Sequence, residues 1–200
     1  MPGRVFGHER VGRVRHCPES SAPRRLVAID ALATATHAQS WKTAAMGIVR
    51  QTPFEPMVGD PDDHRPNTYF RLVVDPGTDG RVAQLSFLEE RCAVGDRIPL
   101  HRHDVDEIVV VLDGQGTYSL AGDKSHVTAG DVVFIPAGTE HGTTNTGDRA
   151  LHLHAVFPAR VVLMVMLERN PGPGTEGDPP MTTRYDFATG KMDVLGPTEP

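Results

Sequence analysis

Three histidines and one glutamate in the middle of this chain have the residue types and spacing of a ligand set. Gly95 to Gly114 reads GDRIPLHRHDVDEIVVVLDG, and fifteen residues later a second block reads GDVVFIPAGTEHGTTN. The first block holds His101, His103 and Glu107; the second holds His141, just after the turn Ile135-Pro136-Ala137-Gly138. Imidazole nitrogen and carboxylate oxygen together suit divalent first-row metals, so the chemistry on offer is metal coordination. Successive strand side chains point to opposite faces, so residues two and four apart share one. On that reading His101, His103 and Glu107 project to the same side of one β-type run, and a neighbouring strand brings His141 opposite them.

The elements that must position these residues read as short strands. Thr68 to Val74 is β-branched and aromatic, the cluster Asp75 to Gly80 is a turn, and Val82 to Leu88 alternates, with Ala83, Leu85 and Phe87 on one side. That pattern predicts a hairpin. Ile98 to Leu112 follows, then Thr117 to Leu120 and Ser125 to Thr128 around the turn Ala121 to Lys124. Asp131 to Ile135, His141 to Asn145, Leu151 to Phe157 and Val161 to Leu167 complete the series. Short strands at this spacing, without helical patterns between them, predict an all-β antiparallel sandwich or barrel.

Composition confines the core to this middle region. Hydrophobic residues make up 38% of the 200, and 20 Gly with 17 Pro crowd the turns and both ends. The expected organisation is a basic, poorly ordered arm over 1–45, a Pro-rich lead-in over 46–66, a barrel over 67–168, and a linker with a C-terminal hairpin over 169–200. The arm carries seven Arg and Lys against three Asp and Glu. Two readings of it stay open: a native arm, or an extension preceding a true start at Met46. Thr183 to Phe187 and Lys191 to Leu195 would form the terminal hairpin, which must dock on the barrel or on a second subunit because two strands alone are marginal.

A formal charge of −6 without a basic face argues against a nucleic-acid partner. The longest apolar run, Val161 to Leu167, falls short of the roughly 18 residues of a membrane span. Cys17 and Cys92 are too few for a disulfide framework, which is compatible with a cytoplasmic location.

The two blocks resemble the paired motifs of the cupin superfamily, G-x5-H-x-H-x3,4-E-x6-G and G-x5-P-x-G-x2-H-x3-N. Gly95, His101, His103, Glu107 and Gly114 fill the first; Gly130, Pro136, Gly138, His141 and Asn145 fill the second. At about 5% per fixed residue, each five-point match arises by chance roughly three times in ten million starting positions. The resemblance covers about residues 68–167 and is closest to compact single-domain members with this motif spacing. It implies a double-stranded β-helix, the jelly-roll barrel, binding one divalent metal through His101, His103, Glu107 and His141. Fe(II) is the first expectation, with Mn(II), Ni(II) or Zn(II) as the others.

Four protein ligands on an octahedral ion leave two positions for water, O2 or substrate. The function so implied is an oxygenase, of dioxygenase type, acting on a small organic substrate, with Glu107 doubling as base. A metal-dependent isomerase, lyase or cyclase, or a non-catalytic small-molecule binder, are the alternatives on the same fold. By analogy with cupins of this size, a homodimer is expected.

Other residues enter by position. Arg97 shares strand parity with His101, which offers two readings: a side chain at the cavity mouth holding an anionic substrate, or a solvated surface arginine, the commoner case. Thr143 shares parity with His141, and Tyr118 borders the cavity or packs in the core. His152 and His154 lie on one face of their strand, either lining the lumen as a proton relay or standing outside. Gly138 supplies a left-handed turn position behind Pro136 that aims His141 inward, and Asn145 is expected to bond turn backbone. His126 is expected to be exposed, and Cys92 to lie in a loop before the metal motif.

Overall fold

The computed structural model describes residues 53–72, 84–187 and 189–199, all within the unit of the chain spanning 44–200. The expected arm, the Met46 start and the turn at 75–80 lie outside the described residues. Among those described, every regular element is a strand: β1 (Glu55–Met57), β2 (Arg65–Leu72), β3 (Ser86–Cys92), β4 (Arg97–His103), β5 (Glu107–Asp113), β6 (Gln115–Leu120) and β7 (Asp123–Thr128). The second half adds β8 (Val132–Ile135), β9 (His141–Thr144), β10 (Leu151–Phe157), β11 (Val161–Met166), β12 (Met181–Asp186) and β13 (Lys191–Pro197). No helix among them is long and apolar enough to cross a membrane.

The strands form two antiparallel sheets, ordered β1-β2-β3-β10-β5-β8 and β13-β12-β11-β4-β9-β6-β7, the jelly-roll arrangement. Their inner faces meet in a core that includes Val109, Val111, Ile135, Leu151 and Leu153. β10 shows how the sequence places residues: Leu151, Leu153, Ala155 and Phe157 are buried, and His152, His154 and Val156 between them are half-buried. Burying one such aliphatic side chain contributes about 1.5–3 kcal/mol, so strict alternation fixes which face turns inward.

One residue, Gly114, carries the chain from β5 in the first sheet to β6 in the second. Its φ is +82°, and a Cβ there would sit 2.7 Å from the carbonyl oxygen of Ala150. The left-handed conformation alone costs a side chain about 1–2 kcal/mol, before the clash with fixed backbone. Gly114→Ala is therefore expected to lower the unfolding free energy by about 2 kcal/mol or more in urea denaturation, and an unchanged midpoint would refute this.

Three expectations about strands need correction. The strand read over Val82 to Leu88 lies at Ser86–Cys92, pairing with β2 from Leu72↔Leu88 to Tyr69↔Arg91. Its inner face is therefore Ser86, Leu88, Glu90 and Cys92, while Leu85 is exposed and Phe87 faces out. The apolar alternation suggested otherwise because it gave no reason to bury Glu90. Cys92 is accordingly not in a loop but is the buried last residue of β3, where desolvation pushes its thiol up to about 12. Ile98 to Leu112 is not one run either: Asp104, Val105 and Asp106 break it into β4 and β5, which belong to opposite sheets.

The terminal hairpin forms and extends the second sheet, β12 pairing with β11 from Val161↔Asp186 to Val165↔Thr182. The segment leading to it is pinned by Arg169, which donates to the carbonyls of Thr175 (2.5 Å) and Asp178 (2.9 Å) and pairs with buried Asp62.

Candidate metal centre

His101 and His103 reach the barrel interior from β4, His141 from β9 and Glu107 from β5. His101 and His141 are direct cross-strand partners. Glu107 joins them from the facing sheet rather than from the same run, so parity within one strand is not what aligns it. The three ring centroids are 4.2, 4.8 and 5.8 Å apart, and one nitrogen from each histidine lies within 4.8 Å of the others. Glu107 Oε2 is 3.1 Å from His103 Nε2 and 3.2 Å from His141 Nε2. All four side chains are buried.

Each ring is oriented by a local backbone carbonyl. His101 Nδ1 faces Pro99 O at 2.8 Å, His103 Nδ1 faces Val105 O at 2.7 Å, and His141 Nδ1 faces Thr139 O at 2.8 Å. Those acceptors assign the proton of each neutral ring to Nδ1 and turn the Nε2 lone pairs inward. The turn that sets His141 is tied down as well. Thr139 N donates to Pro136 O, Gly138 N donates to His103 O, and Gly138 has φ +78°.

The arrangement fits a cation. The rings of His103 and His141 each face an oxygen acceptor on both sides, and one proton per neutral ring serves only one of them. His141 Nε2 is buried without a hydrogen-bond partner. Desolvation, then the neighbouring His141, brings His101 down to about 3. Burial pushes the Glu107 carboxyl up, but His103 and His141 outweigh it and bring it down to about 2. An ionised carboxylate beside three imidazoles is a donor set that suits a divalent metal.

The centre opens into a cavity of about 1290 Å³. Phe157 packs edge-on against His103 at 5.1 Å and stacks on Phe187, which follows β12, at 5.6 Å. Met164, Met166, Leu153 and Ala155 continue this apolar wall. Tyr118 and Thr143, cross-strand partners on β6 and β9, are buried and line the cavity. Burial and nearby Glu107 raise the Tyr118 hydroxyl, keeping it protonated, and Thr143 Oγ1 has no hydrogen-bond partner.

Arg97 is not among the cavity residues. An irregularity in register between Ile98 and His101 puts Ile98, not Arg97, on the inward face opposite Thr143. One extra residue reverses strand parity downstream, so Arg97 turns out to Glu168, Asn170 and the carbonyl of Arg169. His152 and His154 also point away from the lumen. His126 is exposed. Asn145 holds turn backbone, donating to Cys92 O and Arg149 O at 2.9 Å and accepting from Gly147 N at 3.0 Å.

A second polar group in the cavity wall escaped the sequence reading. Arg65, 3% exposed, bonds both oxygens of Asp63 at 2.7 and 2.6 Å and Glu90 Oε1 at 2.6 Å. Asp63 and Arg65 sit in the Pro-rich lead-in over 46–66, to which the sequence reading assigned no site residue. The available signal was Glu90, an acidic residue at an inward position of a strand.

Residues 88–157 match the family described as the cupin domain. The chain carries a cupin domain over these residues. Over 86 residues this chain is 33% identical to quercetin 2,3-dioxygenase of Bacillus subtilis, spanning 42% of this chain and 26% of that one. Over 55 residues it is 40% identical to acireductone dioxygenase of Rhodopseudomonas palustris, spanning 26% and 33%. Over 94 residues it is 34% identical to the HTH-type transcriptional activator RhaR of Cronobacter sakazakii, spanning 43% and 33%. The chain spans 14%, 55% and 26% of the length of the first three curated relatives it matches. The matched stretches belong to enzymes and to a regulator, so the reaction has to be argued from the site.

Proposed function

We propose that this cupin is a metal-dependent oxygenase of dioxygenase type, acting on a small, uncharged and largely apolar substrate with two adjacent oxygens. The observation that carries this reading is the convergence of three carbonyl-anchored imidazoles and an ionised carboxylate at the floor of an apolar cavity. Similarity to two dioxygenases supports it. His101, His103, Glu107 and His141 would hold the ion, Fe(II) first, and the ion would supply coordination of substrate and O2.

The chain's own residues define the substrate. Acidic side chains lining the cavity (Glu55, Asp60, Asp63, Glu90, Glu107) outnumber its two arginines. Arg65 is committed to Asp63 and Glu90, and Arg71 to Glu89. Burial raises Asp60 to about 6, which still leaves it largely ionised at neutral pH. An anionic substrate would enter against this field, whereas a neutral ring or diketone meets phenylalanine and methionine. Tyr118 and Thr143 offer hydroxyl donors to a substrate oxygen, and the Phe157–Phe187 wall keeps water from the reacting atoms.

Oxygen-electrode traces of Fe(II)-loaded protein test the proposal. Uptake is expected with uncharged catechols, diketones or flavonols, and at least about tenfold less with carboxylate-bearing analogues of the same size. Turnover of such substrates by zinc-loaded protein without O2 consumption would overturn it in favour of isomerase, lyase or cyclase chemistry. Binding without any turnover would leave a small-molecule binder.

A further inference from the structure

The outer face of the first sheet carries a second group of metal-competent side chains. β10 turns Leu151, Leu153 and Ala155 inward, so His152 and His154 stand two residues apart on the outside. Glu89 of β3 lies directly across from His154 in the register of the two strands. His152 Nε2 is 2.5 Å from Glu89 Oε1, and His154 Nε2 is 3.8 Å from Glu89 Oε2. One ligand atom from each of the three residues lies within 4.8 Å of the other two.

We propose that Glu89, His152 and His154 form a second divalent-cation site, of the zinc, nickel or copper class, on the outside of the barrel. Two imidazoles with a carboxylate are donors these ions favour. The donors sit on adjacent central strands, so the backbone holds their spacing. Glu89 is buried beneath the rings, while the imidazoles are 23% and 28% exposed, which leaves an approach from solvent.

The competing reading is an ordinary ion pair, since Arg71 donates Nε at 2.8 Å and Nη2 at 2.5 Å to Glu89. Both of those bonds end on Oε2. Oε1 faces only His152 among the contacts described, and the ion would take Oε1 while Arg71 keeps Oε2. At 3.8 Å, His154 Nε2 is beyond hydrogen-bond distance from Glu89. Desolvation keeps His154 below the ordinary imidazole value, so its lone pair is free at neutral pH. An ion at His152 Nε2 would take the place of the hydrogen bond to Glu89 Oε1, with the ring proton carried on Nδ1.

Zn2+ titration of tag-free, full-length protein by calorimetry and equilibrium dialysis separates the two sites. Wild type is expected to bind at least two ions per chain, and His152→Gln with His154→Gln to bind one fewer. Glu107→Gln, which alters only the inner centre, is expected to keep the outer ion. The proposal is overturned if the double variant binds as many ions as wild type, or if wild type binds one ion that only Glu107→Gln removes. That second result would leave the inner site standing. Unchanged circular dichroism and melting of the metal-free double variant would exclude a folding defect as the cause of a lost ion.

Discussion

Arg65→Met is expected to lower the unfolding free energy at pH 7 by about 3–5 kcal/mol, read as a fall in the urea midpoint. The guanidinium lies between Asp63 and Glu90, both buried. Methionine replaces the apolar stem but leaves two carboxylates without their counter-charge, and breaking one side of a buried pair costs that much. The loss should depend on pH. Burial already raises the Glu90 carboxyl, with Arg65 the main influence holding it down, so the variant's Glu90 rises further. A group whose folded value lies above its unfolded one stabilises fully below the unfolded value, about 4.3 for glutamate, and loses that stabilisation as pH rises. The deficit should therefore be largest at pH 7–8 and shrink towards pH 4–5. Arg65→Lys keeps the charge without the two-pronged geometry and should fall between. A deficit below about 1 kcal/mol, or one constant across pH, would show that the pair is not what holds this wall.

That wall also marks where sequence reading stopped. Local rules carried far: alternation gave β10 its bounds and put His152 and His154 on one face, leaving open which, and Asn145 bonds the turn backbone its position suggested. Glu107 was reached by an argument that does not hold. It was assigned to the face of His101 by counting along one strand, yet it arrives from the other sheet. The motif spacing is right because it encodes a corner between two sheets, which a period-two count cannot represent. Arg97 fails for a related reason, since one irregular register step reverses parity and nothing in RIPLH announces it. Arg65 and Glu90 lie 25 residues apart in sequence, and their pairing follows from β2 lying beside β3. Long-range register decides such contacts, and local pattern is silent on them.

Removing metal with a chelator is expected to lower the melting temperature of the wild-type protein by roughly 8–16 °C. An ion present at about a thousand times its dissociation constant stabilises the folded state by about 4 kcal/mol. In a domain of this size each kcal/mol moves the midpoint by about 2–4 °C. In the His152→Gln, His154→Gln background, where only the inner centre can load, Glu107→Gln should abolish the metal-dependent shift while changing the metal-free midpoint little, because the amide fits the same space and still bonds His103. His103→Ala should lose bound metal too, but its buried ring packs against Phe157, so its metal-free protein should also melt lower. The pair of variants separates ligand loss from packing loss. Coordination predicts that both lose the ion and only the alanine variant loses intrinsic stability. If Glu107→Gln kept the full metal-dependent shift, the carboxylate would be a neighbour of the histidines rather than their fellow ligand. The oxygenase proposal would then lack one of its four supports, since three imidazoles alone would have to hold the ion.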